Sequence, residues 1–444
     1  MRIVIVGAGA VGTYLAERLS LEGQDVVIIE STQARVAELQ SKLDVMVVYG
    51  NGSSPITLAE AQVEKAELLI AVSDNDGANV LACHLAHEMG VPRTVARVED
   101  PGLRDGLSKL GVDVVIEPRE NAAQEVIDLI RGGGVSEIIE FGNGGLVLLG
   151  GRVGNDAPLV NHKLSELREQ YGNGEWILAA VVRGSETMVV RGERTPILPG
   201  DHALIMTLKG SEQTALDLMG LEVHQIRRVL VAGSNRLSSL TAHMLVEDGF
   251  DVVIIEDEVD RCRRMSEEHP KALVIQGDPT DPEVLEDLDI DEKDAIVAMS
   301  GRDERNILAC LLAKAMGASE AIMAVNRQSY VHILDKIEVD AMVSSRQAAA
   351  NAILQFVRRG RVHSVVTFSD SDAEVIELEV IPRSDAVGMR LDELGLLGGA
   401  IIGGINRGSR CLVPTGATEI EPRDRLIVFA LPEAIRAVEE LFSE

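Results

Sequence analysis

The residues best suited to chemistry stand at the start of the chain. GAGAVG, Gly7 to Gly12, follows an apolar run and opens a stretch with helical spacing, and Glu30 lies 18 residues beyond Gly12. In such a loop Gly7 permits a tight turn, Gly9 lets phosphates approach the backbone, and Gly12 lets helix and strand pack closely. The helix N-terminus presents N–H groups and partial positive charge to a pyrophosphate. Glu30, ending the second strand, can accept hydrogen bonds from both ribose hydroxyls and would repel a 2′-phosphate. NAD(H) or an adenosine nucleotide is therefore favoured over NADP. A glycine pattern alone is weak, but strand, loop, helix and acid in register make this one specific.

Further along, Gly50-Asn51 ends a third strand and Ser73-Asp74 a fourth. The C-terminal strand ends line the ligand crevice of such a sheet, so Asn51, Ser73 and Asp74 can reach an adenosine. Arg97 ends a fifth strand and could pair bidentately with a terminal phosphate, or could be an ordinary surface arginine.

A second, altered copy of the loop follows. In LVAGSNRLSSL, Gly233 keeps the first glycine, whereas Asn235 replaces the second and Ser238 the third. Asn tolerates positive φ better than most residues, but its side chain would crowd a close pyrophosphate. Glu256 remains available for a ribose. The stretch Gly233, Ser234, Asn235, Arg236 and Leu237 is thus expected to bind weakly, selectively or not at all.

Other candidates carry less. His84 and His87 lie three apart on one helical stretch, a pattern more often found on a solvated face than around a metal. Glu117 and Glu120 are either solvated or placed to hold a cation across a subunit boundary. PGD at Pro199 reads as a turn before a strand. No metal centre is expected.

These residues need elements to position them, and the chain supplies them twice. Gly7 and Gly233 are 226 residues apart, as are Glu30 and Glu256; Asn79 and Asn306, Cys83 and Cys310, and Gly90 and Gly317 are 227 apart. RGS at Arg183 and Arg407, and PGD at Pro199 with PRD at Pro422, extend the match beyond the nucleotide-binding region. Within each half, apolar runs such as IVIVG, DVVIIE and LLIAV alternate with helical stretches. That pattern implies a doubly wound, Rossmann-like parallel sheet. The smaller segments, with AIIGGINR and RLIVFAL, read as α+β units. The expected plan is a first large domain at 1–120, a linker helix at 121–134 and a small domain at 135–222. It then repeats as a large domain at 226–345, a linker helix at 346–360 and a small domain at 361–444.

Composition agrees. At 444 residues the chain exceeds one core. Its apolar content is 46% with only 2% aromatic, which suits cores of Val, Ile, Leu and Ala. The net charge of −29 disfavours nucleic acid and an anionic lipid surface. No apolar run reaches the ~18 residues of a membrane span, and MRIVIVGAGAVG reads as strand and loop rather than as a signal peptide. Four scattered cysteines suggest neither zinc nor disulfides. A cytosolic location is expected.

A nicotinamide dehydrogenase needs a domain that holds substrate beside the ring and supplies an acid, base or metal. No such constellation is shared by the halves, so an NAD-dependent oxidoreductase with an unrecognised substrate is the second reading and a structural scaffold the third. A ligand-driven switch, in which occupancy selects one domain arrangement, is the first.

GAGAVG with Glu30, YGNGSSPITLAEAQVEKAELLIAVSDNDGANVLACHLA and TVARV together resemble the potassium-conductance regulator (RCK, or KTN) domain. The tandem arrangement is similar to the cytosolic nucleotide-binding subunits of Trk-type potassium uptake systems. The resemblance implies a non-enzymatic homotetrameric gating ring, peripheral on the inner face of the cell membrane beneath a potassium-translocating subunit. It implies NAD(H) and/or ATP/ADP as ligands. Gly7, Ala8, Gly9, Ala10 and Val11 would hold phosphates, Glu30 the ribose, and Asn51, Ser73 and Arg97 would complete the site. An acidic ring could also dock on Lys- and Arg-rich cytoplasmic loops.

Overall fold

The computed structural model describes the chain except for residues 104–105, 173, 185, 191–194, 223–224, 326–338, 358–361, 369–372, 397 and 444. It forms two compact units, Met1–Asn121 with Ser345–Arg359, and Ala122–Ser344 with Gly360–Glu444.

In the first unit the apolar runs become β1 (Arg2–Val6), β2 (Asp25–Glu30), β3 (Met46–Tyr49), β4 (Leu68–Ala71), β5 (Thr94–Arg97) and β6 (Val114–Ile116). They pair in parallel in the order β3-β2-β1-β4-β5-β6. Helices α1 (Ala10–Leu21), α2 (Gln33–Lys42), α3 (Pro55–Glu60) and α4 (Asp76–Glu88) make the crossovers. The central strands are apolar at nearly every position because both faces are covered; Ile3, Val4, Ile5, Leu68, Leu69 and Ile70 are wholly buried. Strand order reverses beside β1, so the crevice outside the carboxyl ends of β1 and β4 is the topological switch point.

The helix Ser345–Val357, from the far end of the chain, packs on α1 in this unit. Arg93 stacks its guanidinium 5.8 Å from the centre of the Phe356 ring. The end of the expected 346–360 helix, 358–360, lies outside the described residues.

The second unit repeats the parallel sheet with strands Arg228–Ala232, Asp251–Glu256, Leu273–Gln276, Asp294–Ala298, Glu320–Ala324 and Ala341–Val343, in the matching order. The chain reaches it through α5 (Pro118–Gly132), whose first four residues belong to the first unit. The later part of α5 is tied to the second sheet's domain: Arg131 donates Nε to Asp248 Oδ2 at 2.7 Å. Just past it, the Gly134 N–H reaches Glu320 Oε1 at 2.5 Å. The helix Ser345–Val357 thus packs on the Rossmann-like domain of the first half, and α5 is tied to that of the second through Arg131.

Two five-stranded antiparallel sheets complete this unit. Their inner faces share a core that includes Phe141, Leu146, Leu204, Met206, Ile427 and Phe429. The arginines of the repeated RGS and the aspartates of PGD and PRD meet here. Arg183 donates Nε and Nη2 to the two carboxylate oxygens of Asp201, each at 2.7 Å, and Arg407 grips Asp424 likewise at 2.8 and 2.7 Å. Both aspartates are buried, so each turn is fixed by a bidentate ion pair.

Candidate functional site

The first crevice is built around the β1–α1 loop. Gly7 has φ +99°, and a Cβ there would lie 2.9 Å from the Ser73 backbone. A Cβ on Gly12 would lie 1.9 Å from the Gly7 carbonyl oxygen. Only glycine fits either position. Gly9 differs: a Cβ there would meet nothing within 4 Å. It is the N-cap of α1 and gives no side-chain cap. The first turn of α1, carrying Ala10, Val11 and Gly12, therefore has no side-chain cap on its N–H groups and free space beside Gly9, the arrangement that receives a phosphate.

Glu30, at the end of β2, is 6% exposed and sits beside this loop. Its Oε2 accepts the Ala8 N–H at 3.0 Å and its Oε1 the Thr32 N–H at 2.7 Å. Burial pushes its carboxyl pKa up, but the amides of Thr32 and Ala8 more than offset that and hold it below the ordinary value. The group is an anion at neutral pH, a hydrogen-bond acceptor for hydroxyls and a barrier to a further phosphate.

The other expected residues line the same rim. Asn51 follows β3 and accepts from the N–H and the hydroxyl of Ser53 at 3.0 and 2.7 Å. Ser73 follows β4, and Asp74 stands exposed next to it. Arg97 ends β5, where it is ion-paired with Glu99. Arg119, in the first turn of α5, holds the other oxygen of Glu99 at 2.5 Å.

Two residues that the sequence reading passed over have roles here. Asn79 is fully buried and accepts from the Ser73 N–H and hydroxyl at 2.9 and 2.6 Å. It donates to the carbonyls of Ser73 and Arg97 at 3.0 and 2.9 Å. It thereby fixes the ends of β4 and β5 relative to each other. The signal was its recurrence as Asn306, which makes the equivalent bonds to Ser300 and Ala324. Arg35, in α2, donates to the Ala8 carbonyl at 3.3 Å and brings a positive charge to the Glu30 side of the loop.

The second crevice repeats the frame without the opening. Gly233 has φ +119° and approaches Ser300 as Gly7 approaches Ser73. Asn235 caps the helix Arg236–Glu247 with its own side chain. Glu256 ends its strand buried and accepts the Glu258 N–H at 3.0 Å. Ser234 and Arg236 flank the loop, and Leu237 is buried behind it.

His84 and His87 serve packing. His84 Nδ1 lies 3.1 Å from the Leu110 carbonyl, and His87 covers Gly111. Among the described residues no group of three or more His, Cys, Asp or Glu is arranged to hold a metal. None of the described helices is long and apolar enough to cross a membrane.

Comparison with known proteins gives a consistent picture. The TrkA-N domain family matches residues 3–118 and again 229–345, and the TrkA-C domain family matches 375–443. A relative from Azorhizobium caulinodans, named Trk system potassium uptake protein TrkA, is 32% identical over 100% of this chain and 98% of its own. One from Archaeoglobus fulgidus, named a homologue of that protein, is 33% identical over the whole of both chains. Among solved structures, the GsuK RCK domain superposes with a TM-score of 0.59 at 19% identity, covering 100% of this chain and 95% of that one. The GsuK channel bound to NAD gives 0.59 at 18%, covering 100% and 79%. These structures share the fold.

Proposed function

The chain belongs to the TrkA family, and from that premise we propose that it is a nucleotide-binding regulatory subunit of a Trk-type potassium uptake system. Its full-length relatives are named for that system. The single observation that carries the nucleotide part is the open, uncapped α1 N-terminus beside an ionised Glu30. Gly7 to Gly12 receive the phosphates, Glu30 the ribose hydroxyls, and Asn51, Ser73 and Asp74 the adenosine side. NAD(H) and ATP or ADP share the adenosine-phosphate portion this crevice fits. The full-length relatives are named for potassium uptake, which favours a switch over an oxidoreductase.

Coupling starts at Arg97. An arriving terminal phosphate competes with Glu99 for its guanidinium, and Glu99 also holds Arg119 at the start of α5. Since α5 continues into the second unit, a change at Glu99 acts on the helix joining the halves. The working domain plan is 1–120 and 226–345 for the nucleotide-binding folds and 135–222 and 361–444 for the small ones. The linking segments are 121–134 and 346–360. The protein is taken to assemble as a homotetramer on the cytoplasmic face of a membrane potassium-translocating partner.

The test is potassium uptake in cells lacking their own cytosolic Trk subunit. The wild-type chain should restore growth at low potassium, and Gly9→Asp, which puts a carboxylate in the phosphate seat, should remove nucleotide control of uptake. Uptake regulated identically in wild type and Gly9→Asp would refute the reading.

A further inference from the structure

The duplicated crevice keeps Gly233, Glu256 and Ser300 but differs at several other positions that would meet a ligand, and the replacements are held by bonds within the crevice. Asn235 stands at the position of Gly9, where the first crevice has empty space. Its Oδ1 accepts the N–H groups of Leu237 and Ser238 at 2.9 and 3.1 Å. These are the counterparts of Val11 and Gly12, whose helix has no side-chain cap in the first half. Its Nδ2 donates to the Met299 carbonyl, which also receives the Ser238 hydroxyl at 3.2 Å. The carboxamide is therefore held from both ends.

The strand ends have changed in concert. Ser31 and Asn51 are replaced by Asp257 and Asp278, and Ala78 by Arg305. Arg305 bridges the two carboxylates, with Nη1 2.8 Å from Asp257 Oδ2 and Nη2 3.0 Å from Asp278 Oδ1. Its side chain is only 14% exposed. The bridge spans the ends of the two strands where a ribose and base would lie. Arg97, the residue placed for a terminal phosphate, has Ala324 as its counterpart. Arg236 and Arg302 stand exposed at the rim, but the amides behind them are already taken.

We propose that the second crevice is self-occupied: Asn235 takes the place of the pyrophosphate, the Arg305 bridge takes the place of the nucleoside, and each chain binds one nucleotide, in its first crevice. The inference rests on the reading of the first crevice given above. A helix N-terminus satisfied by a covalently attached amide needs no ligand, so the second half keeps the liganded shape permanently. The ring would then have one responsive and one fixed Rossmann-like layer per chain.

Equilibrium dialysis of the full-length protein against labelled ATP, and separately NADH, tests this. Wild type should hold one equivalent per chain, lost in Glu30→Ala and retained in Glu256→Ala. A combined Asn235→Gly, Asp257→Ser, Asp278→Asn and Arg305→Ala variant restores the first crevice's residues at these four positions. It should gain a further equivalent that Glu256→Ala removes. Two equivalents in wild type, or loss of the single site in Glu256→Ala, would overturn the proposal. So would a graft with unchanged circular dichroism that gains nothing. A wild type that binds nothing while the graft binds would sink the reading of the first crevice, and with it the count of one nucleotide per chain, and would uphold only the self-occupation of the second crevice.

Discussion

Arg97 and Glu99 show how much one residue's meaning depends on its neighbours. In the sequence Arg97 was equally a phosphate ligand or a surface arginine; in the structure it ends β5 on the crevice rim, paired with a carboxylate that a phosphate would have to displace. Both side chains are about a quarter exposed, so the competition is worth roughly 1 kcal/mol. Glu99→Gln is accordingly expected to tighten ATP binding about fivefold by calorimetry, while leaving adenosine binding unchanged. Equal affinities for ATP in the two proteins would remove Arg97 from the phosphate site. The glycines were legible because backbone geometry leaves no alternative at Gly7 and Gly12. Asn79 was not, because a buried amide that ties two strand ends has no local pattern; only its repetition as Asn306 marks it. Arg35 was missed because its contact, with Ala8, crosses from one crossover helix to the preceding loop.

At the scale of elements, both parallel sheets could be read from runs of Val, Ile and Leu that are apolar on consecutive residues, since burial on both faces removes the need for alternation. The exchange of linking helices could not, because an apolar helical stripe specifies burial without naming the surface that buries it. The turn beyond α5 illustrates the consequence. The Gly134 N–H rests on Glu320, 186 residues away in sequence, at the start of a strand in the second half. Burial there pushes the Glu320 carboxyl up to about 8, with Asp340 adding repulsion against the pull of the Gly134 amide and Lys314. In the unfolded chain the same group ionises near 4.5. Between those values the folded protein binds the extra proton, so stability falls as pH rises from about 4.5 to about 8. Glu320→Gln should therefore raise the thermal midpoint progressively more as pH rises from 5 to 8, with little effect at pH 5. A midpoint difference that does not vary with pH would place the Glu320 titration outside this window.

For the whole molecule, duplication is what made the sequence informative: each conserved pair marks a structural requirement, and each divergent pair marks a position where the two crevices part company. Gly9 against Asn235 is the sharpest of these, and only the structure shows the asparagine capping its own helix. The account holds that nucleotide occupancy of the first crevice rearranges the protein and leaves the nucleotide unaltered. The most direct measurement is calorimetric titration of the full-length protein with ATP and with NADH, followed by chromatographic recovery of the ligand after prolonged incubation. Saturable heat that disappears in Glu30→Ala, with the nucleotide recovered intact, is the predicted result. Steady conversion of either compound, or heat that Glu30→Ala leaves unchanged, would contradict it.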